Sequence, residues 1–78
     1  MAVKAFVLIQ TEIEVAKTPD VVAALKQLRR EVKSVDSVTG PYDIIGVIEV
    51  ETMDKIDLVI EKIHAVAGVH RTVTCVAI

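Results

Sequence analysis

Seventy-eight residues, 53 % of them hydrophobic, make one domain of a size that buries only ~60 % of its unfolded surface, and a mean hydropathy of +0.54 is more apolar mass than one small monomer hides. The longest unbroken apolar stretches, such as Ala5 to Ile9, fall far short of the ~20 residues of a membrane helix, and no apolar signal region opens the chain, so a cytoplasmic protein with no membrane partner is expected. Nine basic against eleven acidic residues give a net charge of −2, which excludes a general positive field for phosphate backbones.

From Val3 to about Val15 the residues alternate loosely, with Val3, Ala5, Val7 and Ile9 on one face and Lys4, Phe6, Leu8 and Gln10 on the other. This predicts a first strand that is apolar on both faces at its centre. Thr18-Pro19-Asp20 reads as a helix start, with a hydroxyl able to cap, a proline at the first helical position and an acid near the positive end of the dipole. Val21, Leu25, Leu28 and Val32 recur at helical spacing, so the helix is expected to reach about Lys33. Val35 to Thr39 is a short, half-polar strand, and Gly40-Pro41 is a strong turn signal. Asp43 to Glu51 predicts a third strand, with Ile44, Gly46, Ile48 and Val50 opposite Ile45, Val47 and Glu49. Thr52 is placed to cap a second helix, whose stripe is Ile56, Ile60, Ile63 and Ala67, and Gly68 is placed to end it in a left-handed conformation. His70 to Ile78 alternates Thr72, Thr74 and Val76 against Val73, Cys75 and Ala77, which predicts the last strand.

The order βαββαβ is the ferredoxin-like α+β sandwich. Right-handed crossovers put both helices on one side of the sheet, and the two strands expected at its centre, the first and third, are the most apolar. Phe6 and Leu8 then point to a face that no helix covers, and soluble monomers seldom expose such a patch. A dimer packed sheet face to sheet face is therefore expected, an α+β barrel of the dimeric type.

Few constellations carry chemistry. A single cysteine, Cys75, excludes an intramolecular disulfide, and no paired His/Cys spacing suggests a metal. Cys75 reads as a small buried hydrophobe. Lys26, Arg29, Arg30 and Lys33 read as a solvated helix face rather than an anion site. His64 reads as an exposed helix residue, and His70 has no visible Ser, Cys or acid pair arranged with it for base catalysis. Gly40, Gly46 and Gly68 are isolated, without a phosphate-loop pattern, so no cofactor is expected. The segment Thr39-Gly40-Pro41-Tyr42-Asp43 is more informative, since it gathers the only Tyr, a Gly-Pro turn and an acid between two strands. Two readings stand for it: a hairpin turn with Asp43 bonding local backbone, or a ligand rim whose N–H groups receive a carboxylate while Asp43 receives an ammonium. Thr72 and Thr74 add two hydroxyls on one face of the last strand.

Thr39-Gly40-Pro41-Tyr42-Asp43-Ile44, followed by Ala67-Gly68-Val69-His70-Arg71-Thr72-Val73-Thr74, resembles the T-G-x-Y-D and G-V-x-x-T-x-T signatures of the effector-binding domain of the Lrp/AsnC, or feast/famine, transcription regulators. Ala5-Phe6-Val7-Leu8-Ile9 is also similar to that domain's first strand, so the resemblance covers essentially the whole chain, residues 1–78. It implies a module that dimerises through its sheets, assembles into rings of dimers and binds a free amino acid between dimers. By position, the resemblance implies that Thr39, Gly40, Tyr42 and Asp43 line the effector site and that Thr72 and Thr74 face it. Regulators of this kind precede the domain with a helix-turn-helix, whereas here the first strand begins at Val3, so direct DNA binding is not expected. The chain resembles a stand-alone form of the module that acts alone or with full-length regulators. The other classes in view are an ACT-type module, whose glycine-rich first loop is missing at Val15-Ala16-Lys17-Thr18, a small dimeric α+β-barrel enzyme, and a purely structural oligomerisation module.

Overall fold

Alternating apolar residues build the sheet, and stripes of apolar residues seat the helices upon it. In the computed structural model, which describes residues 2–78, the elements are β1 (Val3–Thr11), α1 (Thr18–Lys26), β2 (Val32–Ser37), β3 (Ile44–Val50), α2 (Asp54–His64) and β4 (Val69–Val76). The strands form one antiparallel sheet in the order β2-β3-β1-β4. Each helical connection skips one strand, which is the ferredoxin-like α+β topology, and the inner strands are the first and third, as expected. Val3 lies opposite Val50 and Ile9 opposite Ile44, while on the other side of β1 Ile9 lies opposite Thr72 and Phe6 opposite Cys75.

One face of this sheet makes the core. Ala5, Val7, Ile9, Ile44 and Ile48 are buried against Val21 and Leu25 of α1 and Ile56, Val59 and Ile63 of α2. Each such aliphatic side chain contributes roughly 1.5–3 kcal/mol by leaving water, and no polar side chain is buried among the described residues. Outside the core, Lys62 donates to Glu31 across 3.1 Å and ties the α1–β2 connection to α2. That hydrogen bond holds the Glu31 carboxyl below its ordinary range. The other sheet face carries Leu8, Ile45, Val47 and Val73, all half-buried, around Phe6, which is 38 % exposed. Cys75 is exposed rather than buried, because its register opposite Phe6 places it on this uncovered face.

Several boundaries differ from expectation. β1 ends at Thr11 rather than near Val15, since the N–H groups of Val15 and Ala16 turn back to the Glu12 carbonyl at 2.9 and 3.2 Å, leaving Ile13 73 % exposed. α1 stops at Lys26, not Lys33. Gln27 and Leu28 donate to the carbonyls of Ala24 and Leu25, a tightened last turn, after which Leu28 is half-buried and Val32 opens β2. Val32 and Val35 are both buried although three residues apart, and a register shift between Val32 and Ser34 brings both to one face, as a bulge does. In α2 the buried stripe is Ile56, Val59 and Ile63, with Ile60 half-buried and Ala67 exposed beyond the helix end. Thr18 and Thr52 do not cap: the cap positions are Lys17 and Met53, without side-chain bonds.

Gly68 stands at the turn into β4 with φ +94°, a conformation that glycine adopts without penalty. A Cβ there would lie 2.8 Å from Val21 Cγ2 and 2.9 Å from Ala16 Cβ. Gly40 has φ +125° but open space around it. Gly40→Ala is therefore expected to cost about 1–3 kcal/mol from backbone strain alone, and Gly68→Ala about 1–3 kcal/mol more from crowding. Urea denaturation of the two variants measures the difference, and equal losses would contradict the packing at Gly68.

Candidate functional site

The turn between β2 and β3 is fastened at its base and open at its tip. Val38 N–H donates to the Asp43 carbonyl at 2.8 Å, and Asp43 N–H donates to the Ile9 carbonyl at 2.9 Å. Thr39, Gly40 and Pro41 are exposed or nearly so at the tip, and Tyr42 and Asp43 are half-buried. Among the described residues no backbone carbonyl receives the N–H of Thr39, Gly40 or Tyr42. Unpaired amides in a turn are open to an anion, here the adjacent pair at Thr39 and Gly40 and, beyond Pro41, which has no N–H, that of Tyr42.

The Asp43 side chain reaches back to the end of β1. Its Oδ2 accepts from the Thr11 N–H at 2.8 Å and from the Thr11 hydroxyl at 3.1 Å, and the Thr18 hydroxyl lies 3.3 Å from that of Thr11. The partner is thus a strand end 32 positions away, not local turn backbone. One carboxylate oxygen takes both bonds, and Oδ1 has no hydrogen-bond partner among the described residues. Sequence reasoning missed Thr11 and Thr18. A signal was present for Thr11, which is the polar position that continues the inward series Ala5, Val7, Ile9.

Thr72 and Thr74 lie on the helix side of β4. The Thr72 hydroxyl is 2.9 Å from His64 Nε2, at the end of α2. Thr74 borders an open groove of about 460 Å³ between α2 and β4, with Ile56, Ile60, Val76, Asp54 and Asp57 along it. The Thr52 hydroxyl holds the Asp54 carboxyl below its ordinary range. The six candidate residues therefore do not meet at one point: the turn and Thr11 form one group, Thr72 and His64 a second, and Thr74 a third. Ile9 is flanked by Ile44 and Thr72, so the backbone at the base of the turn and that of Thr72 stand two strand spacings apart, roughly 10 Å.

The remaining polar groups are surface features. His70 Nδ1 sits 3.0 Å from Glu12 Oε2 at the entry to β4. Lys26, Arg29, Arg30 and Lys33 are all exposed, and Lys33 Nζ donates to the Arg30 carbonyl at 2.9 Å. No group of three or more His, Cys, Asp and Glu able to hold a metal occurs among the described residues. No helix of those residues is long and apolar enough to cross a membrane.

The family profile of the Lrp/AsnC ligand binding domain matches residues 4–78. The chain belongs to that family. Among solved structures, TTHA0845 from Thermus thermophilus is 32 % identical with a TM-score of 0.87, covering 97 % of this chain and 92 % of its own. The hypothetical protein PHS023 from Pyrococcus horikoshii is 33 % identical, TM-score 0.82, covering 100 % of this chain and 90 % of its own. The feast or famine regulatory protein Rv3291c from M. tuberculosis, complexed with L-methionine, is 25 % identical with a TM-score of 0.83; the match covers 97 % of this chain and 50 % of that protein. A search of curated proteins finds no match.

In this Lrp/AsnC domain the turn is held by Asp43 whatever else Asp43 does. Removing its carboxylate leaves the Thr11 N–H and hydroxyl without their acceptor, so Asp43→Ala is expected to lose roughly 1–3 kcal/mol of stability. Asp43→Asn keeps an amide oxygen that can accept from Thr11 and loses less. Urea denaturation of both variants checks this order, and a fully stable Asp43→Ala would contradict it.

Proposed function

We propose that this domain senses a free amino acid, bound where dimers of the chain meet, and that Thr39, Gly40, Tyr42, Asp43, Thr72 and Thr74 line the site. The observation that carries the reading is the turn itself, which holds both open amides, at Thr39, Gly40 and Tyr42, and an Asp43 carboxylate whose Oδ1 is unengaged among the described residues. A zwitterion needs that combination, donors for its carboxylate and an acceptor for its ammonium. The description of the family as a ligand binding domain and the L-methionine in the complex of Rv3291c support the ligand class. The separation of the turn from Thr72 and Thr74 within one protomer supports a site completed by a second one.

The minimal unit of this reading is a homodimer closed over the uncovered sheet face, assembling further, with full-length Lrp/AsnC regulators as further partners in the cytoplasm. Burying Phe6, Leu8, Ile45, Val47 and Val73 at about 25 cal/mol per Å² supplies the driving force. No direct binding to duplex DNA is expected at a net charge of −2. An enzyme of the dimeric α+β-barrel kind would place a polar cavity between sheet and helices, where this domain packs Ile9, Leu25, Ile44, Ile48 and Ile63; the description of the family as a ligand binding domain favours the sensing reading. The second reading is a purely structural oligomerisation module, favoured by the engagement of Asp43 with Thr11.

A thermal-shift screen of the proteinogenic amino acids at millimolar concentration separates the two. At least one is expected to raise Tm, by a stabilisation of about 2.7 kcal/mol when present at 100 times its Kd. No shift with any of them leaves the oligomerisation module standing. Phe6→Lys, which puts an unpartnered charge on the uncovered face, is expected to dissociate or aggregate the protein in gel filtration; an unchanged elution volume would remove that face from the interface.

A further inference from the structure

His64 is bonded to a residue of the candidate site, yet sequence reasoning gives it no role. Its Nε2 lies 2.9 Å from Thr72 Oγ1, the ring is exposed and the threonine half-buried. A hydrogen bond between two solvated side chains adds little to folding. What it does is stop a hydroxyl rotor. A free threonine hydroxyl turns to suit any neighbour, whereas one shared with an imidazole has either its hydrogen or a lone pair committed. When Nε2 carries the hydrogen and donates to Thr72 Oγ1, the hydrogen of the hydroxyl is left to point away from the ring.

We infer that His64 is a positioning residue for the ligand's carboxylate: its Nε2–H donates to Thr72 Oγ1 and turns the Thr72 hydroxyl hydrogen outward, toward the anion. The inference rests on the amino-acid-sensing reading and adds a residue and a division of labour to it. A carboxylate has two oxygens with about four lone-pair sites, more than one turn satisfies. The open amides of Thr39, Gly40 and Tyr42 belong to one protomer's turn, whereas Thr72 lies on the far side of β1 from Ile44 at the base of that turn, two strand spacings or roughly 10 Å between backbones. The second oxygen is met by the Thr72 hydroxyl of a neighbouring copy. A carboxylate shared in this way links two protomers, and His64 sets the polarity of one half of the link. Were Nε2 the acceptor instead, Thr72 would offer only lone pairs outward, and these repel a carboxylate.

The test pairs a side-chain change with a ligand change. Calorimetry measures the tightest-binding proteinogenic amino acid and its α-carboxamide against wild type, His64→Phe, His64→Gln and Thr72→Val. The carboxamide keeps one acceptor oxygen and loses the second together with the charge. Loss of a charge-assisted bond corresponds to about a tenfold or greater fall in affinity, so His64→Phe and Thr72→Val are each expected to weaken the acid about tenfold and leave the carboxamide unchanged. His64→Gln, which retains an N–H donor, is expected to recover part of the loss, and the His64→Phe/Thr72→Val double variant to bind no worse than either single one. Equal weakening of acid and carboxamide, or no weakening of either, overturns the role of His64 while leaving amino-acid sensing intact. Failure of the wild type to bind any amino acid overturns both.

Discussion

Two helices cover one face of a four-stranded sheet, and in this chain both faces are apolar. The central strands are greasy in both phases of their alternation: Ala5, Val7 and Ile9 face α1 and α2 with Ile44 and Ile48, while Phe6 and Leu8 face outward with Ile45 and Val47. The first set makes the core of the protomer. The second set is ringed by Lys4, Gln10 and Glu49, and Lys4 Nζ stands 5.3 Å from the Phe6 ring, a contact that softens the patch without covering it. In the proposed sheet-to-sheet dimer, folding and association are two stages of one process, because a second copy supplies the burial that this face lacks within one chain.

The candidate site depends on that sheet for its geometry. The pairing of Ile9 with Ile44 on one side and Thr72 on the other places the β2–β3 turn and the start of β4 at the same end of the molecule. Asp43 fastens the turn to β1 through Thr11, and Gly68 lets the chain enter β4 against Val21 and Ala16. The candidate turn is therefore hydrogen-bonded at its base, with the open amides at the tip. In the proposed reading, the placement of the turn and Thr72 on either side of β1 couples ligand binding to assembly, since a site whose halves come from different copies rewards bringing the copies together.

The fold was legible because period-two alternation in β1 and β3 and the turn signals at Gly40-Pro41 and Gly68 all pointed to one topology. The boundary between α1 and β2 was not. There Leu28, Val32 and Val35 have a spacing that suits a helix, and only the bulge between Val32 and Ser34 shows how a strand accommodates it. Alternation puts Cys75 beside Val73, but the cover that a buried thiol needs is not provided by the protomer. In the site, the residue types of the turn were legible and their partners were not. Asp43 meets Thr11 across 32 positions, and His64 meets Thr72 from a different element; nothing in local pattern encodes such pairings, which arise when the sheet register is set.

The demand of the uncovered sheet face for a partner copy is measured most directly by sedimentation equilibrium of the wild-type chain from micromolar concentration upward. We expect no population of the 8.5 kDa protomer and masses that are even multiples of it. A single species of 8.5 kDa throughout that range would contradict the sheet-to-sheet assembly and, with it, a ligand site shared between copies.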